Sequence, residues 1–221
     1  MKLKLFWHRQ ITALLPIMFA VYIPTLFVLY ILVVVKLQTQ LPISYFTRDP
    51  SAIMKAPFFI GILSNIGIVI WCSSAAICLF SYAVLRKTIN QKKLPSFFLF
   101  SGLVTSTLAL DDLFLFHESV FPNYFHIPQE VVYAVYVTIM LLYFIKFRLI
   151  ILKAELIFLV LASIFLIVSI LGDNLISGSQ KYLFVEDAAK FLGIVSWFTY
   201  FTRVCIKEIR CAILSQQANV N

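Results

Sequence analysis

Charge is scarce in this chain. Only 13% of its 221 residues are Asp, Glu, Lys or Arg, where a soluble domain carries about a quarter. An ordinary water-facing globule is thereby excluded. Histidine is scarcer still, with three residues at positions 8, 117 and 126. Neither an H-E-x-x-H pair nor a late H-x-x-x-H pair can be written with them, so the helical zinc motifs are missing. The four cysteines are too few and too deep for a disulfide framework: Cys72 and Cys78 lie inside one apolar run, Cys205 and Cys211 at the end of another. No internal repeat is evident. No Asn-x-Ser/Thr acceptor is present either, in keeping with a bacterial plasma membrane.

What is abundant is apolar surface. Hydrophobic residues make up 62% of the chain and mean hydropathy is +0.95. They fall in long unbroken runs rather than in an alternating or 3.6-residue pattern, and runs of that length match a hydrocarbon core roughly 30 Å thick. The reading is an all-α integral membrane protein, one domain over 1–221, with about six transmembrane helices near 11–35, 57–85, 96–117, 129–145, 155–173 and 183–204. Residues 1–10 have the basic start of a signal peptide, but the following apolar stretch is too long and no small-residue cleavage site follows; this is the first span. Pro16 and Pro24 are expected to bend it. Pro57, Pro95 and Pro128 sit near span starts, where a missing N–H has no intrahelical acceptor to lose.

Lys and Arg are retained on the cytoplasmic side during insertion. With six spans and both ends inside, thirteen basic residues are cytoplasmic and five (Lys36, Arg48, Lys55, Lys181 and Lys190) are outside, with correct alternation at every loop. Topology thus accounts for the basic balance, and nucleic acid is not needed as a partner. The acids divide the other way: eight fall outside and only Glu155 and Glu208 inside. Since acids contribute little to orientation, this second asymmetry needs its own cause.

Its centre is the segment Leu108-Ala-Leu-Asp-Asp-Leu-Phe-Leu-Phe-His-Glu118 at the outer end of the third span. Carboxylates at that depth mark ion paths, proton relays or sites. The helix dipole does not excuse them, because the outer end of this span is its C-terminus, where anions are disfavoured. On a helical wheel Asp111 and Glu118 fall about 20° apart beside Thr107, with Asp112 alongside Ser101 and Thr105. His117 projects about 120° from Asp111, so it joins that face only if the helix unwinds or ends before it. Glu186 and Asp187 open the sixth span, where exposed N–H groups favour anions. Lys190 lies between them on the wheel and is expected to be held charged by both. Gly193, Trp197 and Tyr200 continue that stripe as packing residues. Asp173, after Gly172, reads as a helix stop, and Glu130 as a first-turn carboxylate.

Asp111, Asp112, His117, Glu118, Glu186 and Asp187, with Asp173, are therefore expected to converge at the outer face. Two adjacent carboxylates, repelled by each other and by the dipole, need something positive beside them. Oxygen ligands with one imidazole suit zinc, manganese or iron. A divalent metal there could acidify a water that attacks a lipid-like ester or amide. Two other readings compete: a proton- or cation-coupled transporter, small enough to need a homodimer, and a non-catalytic assembly partner of another membrane protein.

Overall fold

The computed structural model describes residues 2–57, 59–88, 92–175 and 180–218; the side chains of 2–13, 17, 173–175 and 180–183 lie outside that description. His8, Asp173 and Lys181 are among these. Every regular element among the described residues is helical. By contacts the chain divides into two compact units, Met1–Ile60 and Gly61–Asn221.

The first unit holds α1 (Lys2–Thr39), which carries Pro16 and Pro24 inside it, and the short helices α2 (Ser44–Thr47) and α3 (Pro50–Ile53). α3 starts where it does because Asp49 accepts a hydrogen bond from the Ser51 N–H at 2.7 Å and Pro50 follows it at the first helical position.

The second unit contains α4 (Ile62–Thr88), α5 (Lys93–Phe114), a π-helical turn (Phe116–Val120), α6 (Phe121–Phe125), α7 (Gln129–Ile151), α8 (Leu156–Leu175) and α9 (Gln180–Ala218). Leu14–Thr39, Ile62–Thr88, Lys93–Phe114 and Gln129–Ile151 are long and apolar enough to cross a membrane, and Leu156–Gly172 is a shorter apolar helix. Pro95 falls in the first turn of α5 and Pro128 caps α7, as their missing N–H groups dictate. Pro57 instead lies ahead of α4, separated from it by Gly61 at φ +69°, a left-handed turn that only glycine takes cheaply. α9, at 39 residues, runs well past the apolar stretch that suggested it.

Side-chain pairings give the direction of each helix relative to its neighbours. Along α5 and α9, Asp112 meets Lys190, Thr105 meets Trp197 and Phe97 meets Phe201, so these two are antiparallel. α5 and α7 are antiparallel as well, through Asp111 with Tyr136, Ser101 with Tyr143 and Phe97 with Phe147. So are α8 and α9, through Glu155 with Arg203 and Leu166 against Gly193. α4 and α9 are parallel: Gly67 lies against Ile194, the Trp71 and Trp197 rings meet edge-on at 5.9 Å, and the Cys205 thiol reaches the Ile77 carbonyl at 3.9 Å. Small residues set the close approaches, since a Cβ on Gly102 would come within 2.7 Å of Leu79 and one on Gly193 within 2.8 Å of Leu166.

The core is a ladder of aromatic rings. Phe97 touches Phe98, Tyr143, Phe147 and Phe201 at centroid separations of 5.2–6.2 Å, and Phe201 touches Trp197 and Tyr200 at 5.0 Å. Each such pair contributes about 1 kcal/mol beyond its contact area. Buried polar side chains are threaded into this layer, with Ser101 bonded to the Tyr143 hydroxyl at 2.7 Å and the Trp197 indole N–H donating to Thr105 at 3.0 Å.

Candidate functional site

The site lies where α5 stops. Leu115 takes a left-handed conformation, φ 53°, and its N–H bonds back to the Asp111 carbonyl, closing the helix at Phe114. A leucine there costs roughly 1–2 kcal/mol that a glycine would not. The chain then turns through a π-helical loop in which the Ser119 and Val120 N–H groups both bond to the Leu115 carbonyl, at 2.7 and 3.1 Å. This is the helix ending on which His117 depended to reach Asp111: the third span was expected to run to 117, and it stops three residues short.

The turn swings His117 back over the end of α5, where it contacts Asp111 twice. Its backbone N–H donates to Asp111 Oδ1 at 3.0 Å, and its ring Nδ1 lies 2.5 Å from Asp111 Oδ2. From α7, the Tyr136 hydroxyl donates to the same Oδ1 at 2.8 Å. An ionised carboxylate is acceptor-only, so three donors converge on it, and they compensate for the unfavourable dipole. Asp111 is 6% exposed and Tyr133 packs its ring 5.0 Å from the imidazole. Against an ionised Asp111, a neutral His117 would carry its proton on Nδ1 and leave the lone pair of Nε2 to act.

Asp112, also 6% exposed, turns to the α9 side and accepts a hydrogen bond from the Lys190 ammonium. The expected partners of Lys190 were Glu186 and Asp187 on its own helix; the structure shows it reaching across to Asp112 on α5. The reason is burial. Asp112 has little access to water and gains most from a cation, whereas Asp187 is solvent-exposed.

Of the residues expected to converge, the structure brings together two adjacent pairs, Asp111 with His117 and Asp112 with Lys190. Glu118, about 20° from Asp111 on an ideal wheel, is carried away by the π turn and is exposed. Glu186 packs beside Gly172, whose Cβ, if it had one, would lie 3.5 Å from the Glu186 side chain. Among the described residues no group of three or more His, Cys, Asp or Glu side chains is gathered to hold a metal; the Asp173 side chain is outside them. Tyr136 was missed in the sequence. The only available signal was its spacing from Tyr133, three residues away, which puts both phenols on one face of α7.

An aromatic segment flanks His117 in the chain. Phe114, Phe116, Phe121 and Phe125 form a chain of ring contacts at 5.6–6.1 Å, while Tyr124 and Phe125 remain largely exposed. An exposed tyrosine such as Tyr124 at the end of an apolar bundle is characteristic of the membrane–water interface.

At the other end of the same unit, Arg203 of α9 grips Glu155, ahead of α8, through Nε at 2.5 Å and Nη2 at 2.8 Å. The guanidinium holds the Glu155 carboxyl below its ordinary range. The contribution of that bond is present above the ordinary carboxylate range and fades as pH falls through the lowered value.

No curated protein and no solved structure matches the chain. A family model described as a domain of unknown function, DUF8692, matches residues 20–204, a stretch that includes both charge pairs. The chain is a member of the DUF8692 family.

Proposed function

We propose that this protein crosses a membrane six times with both ends in the cytoplasm, and that Asp111 and His117 form an acid–base site at its outer face. The site acts on an ester or amide bond of a lipid-like substrate. The observation that carries this reading is the 2.5 Å contact between Asp111 Oδ2 and His117 Nδ1 in a site almost closed to water. A carboxylate so placed fixes the imidazole tautomer and steadies the imidazolium that forms when Nε2 takes a proton. Nε2 of His117 would remove a proton from water as its oxygen bonds to the carbonyl carbon. It would return that proton to the leaving alcohol or amine as the old bond breaks. The exposed rings of Tyr124 and Phe125, a few residues after His117 in the chain, support delivery from the bilayer rather than from bulk water.

The orientation rests on the bias of thirteen basic residues against five, and it is supported by the alternating directions of α4, α5, α7, α8 and α9. Those five helices with α1 make six passes, the setting being a bacterial plasma membrane. A cysteine introduced at Asn123, in the 120–127 loop, is expected to react with an impermeant maleimide in intact cells. One introduced at Gln91 is expected to react only after permeabilisation. The reverse pattern would invert the protein and place His117 in the cytoplasm.

Zinc, manganese or iron would use the same Nε2 atom, with Glu118, Glu186, Asp187 or Asp173 as further ligands. The two carboxylates have other partners, however, with three hydrogen-bond donors around Asp111 and the Lys190 ammonium on Asp112. Proton transfer by His117 itself therefore ranks first. Transport is the second reading, favoured by Ser74, Tyr200 and Thr202, whose buried hydroxyls have no hydrogen-bond partner among the described residues. Against it, Ala109 and the Trp71–Trp197 layer separate those groups from Asp112. The test is to incubate the purified protein with a bacterial lipid extract in mixed micelles and follow released acyl chains. Proton flux into proteoliposomes without any released product would replace hydrolysis by transport.

A further inference from the structure

A groove of about 530 Å³ lies between the start of α8 and the far half of α9, at the end of the unit opposite His117. Its lining includes Arg203, Lys207 and Arg210, at i, i+4 and i+7 on one face of α9, together with Glu155 and Glu208. The carboxylates do not use up this charge. Glu155 is taken by Arg203, and Glu208 is one residue from Lys207 and two from Arg210, spacings at which helical side chains do not face each other. Lys207 and Arg210 have no ion pair among the described residues. Beside this cationic edge the groove is apolar, lined by the exposed Ile206, and α8 begins its apolar stretch at Leu156 with the positive end of its dipole nearby.

From these features we infer that the groove binds the phosphate of an anionic membrane lipid, with Lys207 and Arg210 on the headgroup and an acyl chain along the apolar flank. Charge complementarity selects an anion, and cations at the edge of apolar helices recognise anionic headgroups. The apolar part of the lining, Ala154, Val204 and Ile206, selects a lipid over free phosphate, which would have no use for it. The assignment is independent of the chemistry proposed for His117.

Native mass spectrometry of the detergent-purified protein tests it, with phosphatidylglycerol and phosphatidylcholine of identical acyl chains as probes. Phosphatidylglycerol is expected to be retained at least tenfold more strongly, and Lys207→Gln with Arg210→Gln to abolish that preference. Lys92→Gln with Lys93→Gln removes two exposed cations outside the groove and is expected to leave it unchanged. Equal retention of the two lipids, or equal losses in the two double variants, would overturn the assignment. Inorganic phosphate that displaces the lipid at comparable concentration would overturn the lipid in favour of a soluble anion. All four substituted side chains are exposed, so an unfolding midpoint equal to that of the parent verifies that the variants fold.

Discussion

Replacing His117 by glutamine is expected to lower the release of acyl chains by about 10²–10⁴-fold, the range typical of losing a positioned general base. Glutamine keeps a polar side chain near Asp111 and the backbone N–H that donates to Asp111 Oδ1, so the fold should persist. Asp111→Asn should fall in the same range for a different reason. An amide can offer its NH₂ to the imidazole as well as its oxygen, and the ring is no longer held with its proton on Nδ1. Tyr136→Phe removes one of three donors to Asp111 and should cost about tenfold. A chelator separates the two roles open to Nε2. Unchanged turnover in its presence fits a base; a rate lost to chelation and restored by added zinc or manganese would make His117 a ligand. Full activity in His117→Gln would remove the residue from the chemistry altogether.

The second large effect concerns folding. Lys190→Met is expected to destabilise the protein by on the order of 3 kcal/mol, because Asp112 would be left buried without its cation. Asp112→Asn should cost less, about 1 kcal/mol, since the Lys190 side chain is 38% exposed and can turn towards water. Changing both, Asp112→Leu with Lys190→Met, should recover most of the loss by removing both desolvation penalties. Apparent unfolding in detergent measures all three. Sequence reasoning gave no ground for this effect, because it assigned the lysine to Glu186 and Asp187 on its own helix and not to Asp112. If Lys190→Met unfolds with its parent while Asp112 is intact, the ion pair across α5 and α9 does not hold the bundle.

Much of the architecture was legible because a hydrocarbon solvent leaves few options. Apolar runs must become helices, and prolines such as Pro95 and Pro128 mark where they begin. Asp111 and Asp112 stood out for the same reason, as carboxylates with no local excuse. What composition and periodicity could not show was how they are satisfied. The ending of α5 turns on Leu115 adopting a left-handed conformation, a position where glycine or asparagine would be the usual signal. The wheel angle of His117 therefore counted against it until the chain reversed. The pairing of Asp112 with Lys190 spans 78 residues and depends on α5 and α9 lying side by side, which no local pattern encodes. Tyr136 is hidden similarly among several tyrosines until α7 packs antiparallel to α5.

The central claim is that Asp111 holds His117 with its proton on Nδ1 and its Nε2 lone pair ready to act. Nitrogen-15 NMR of protein labelled only at histidine tests this most directly, with His117 assigned by the resonances missing from His117→Gln. At neutral pH the account predicts a protonated Nδ1 and a bare Nε2, with the preference lost in Asp111→Asn. A ring protonated on Nε2 alone, or one carrying both protons throughout the neutral range, would contradict it.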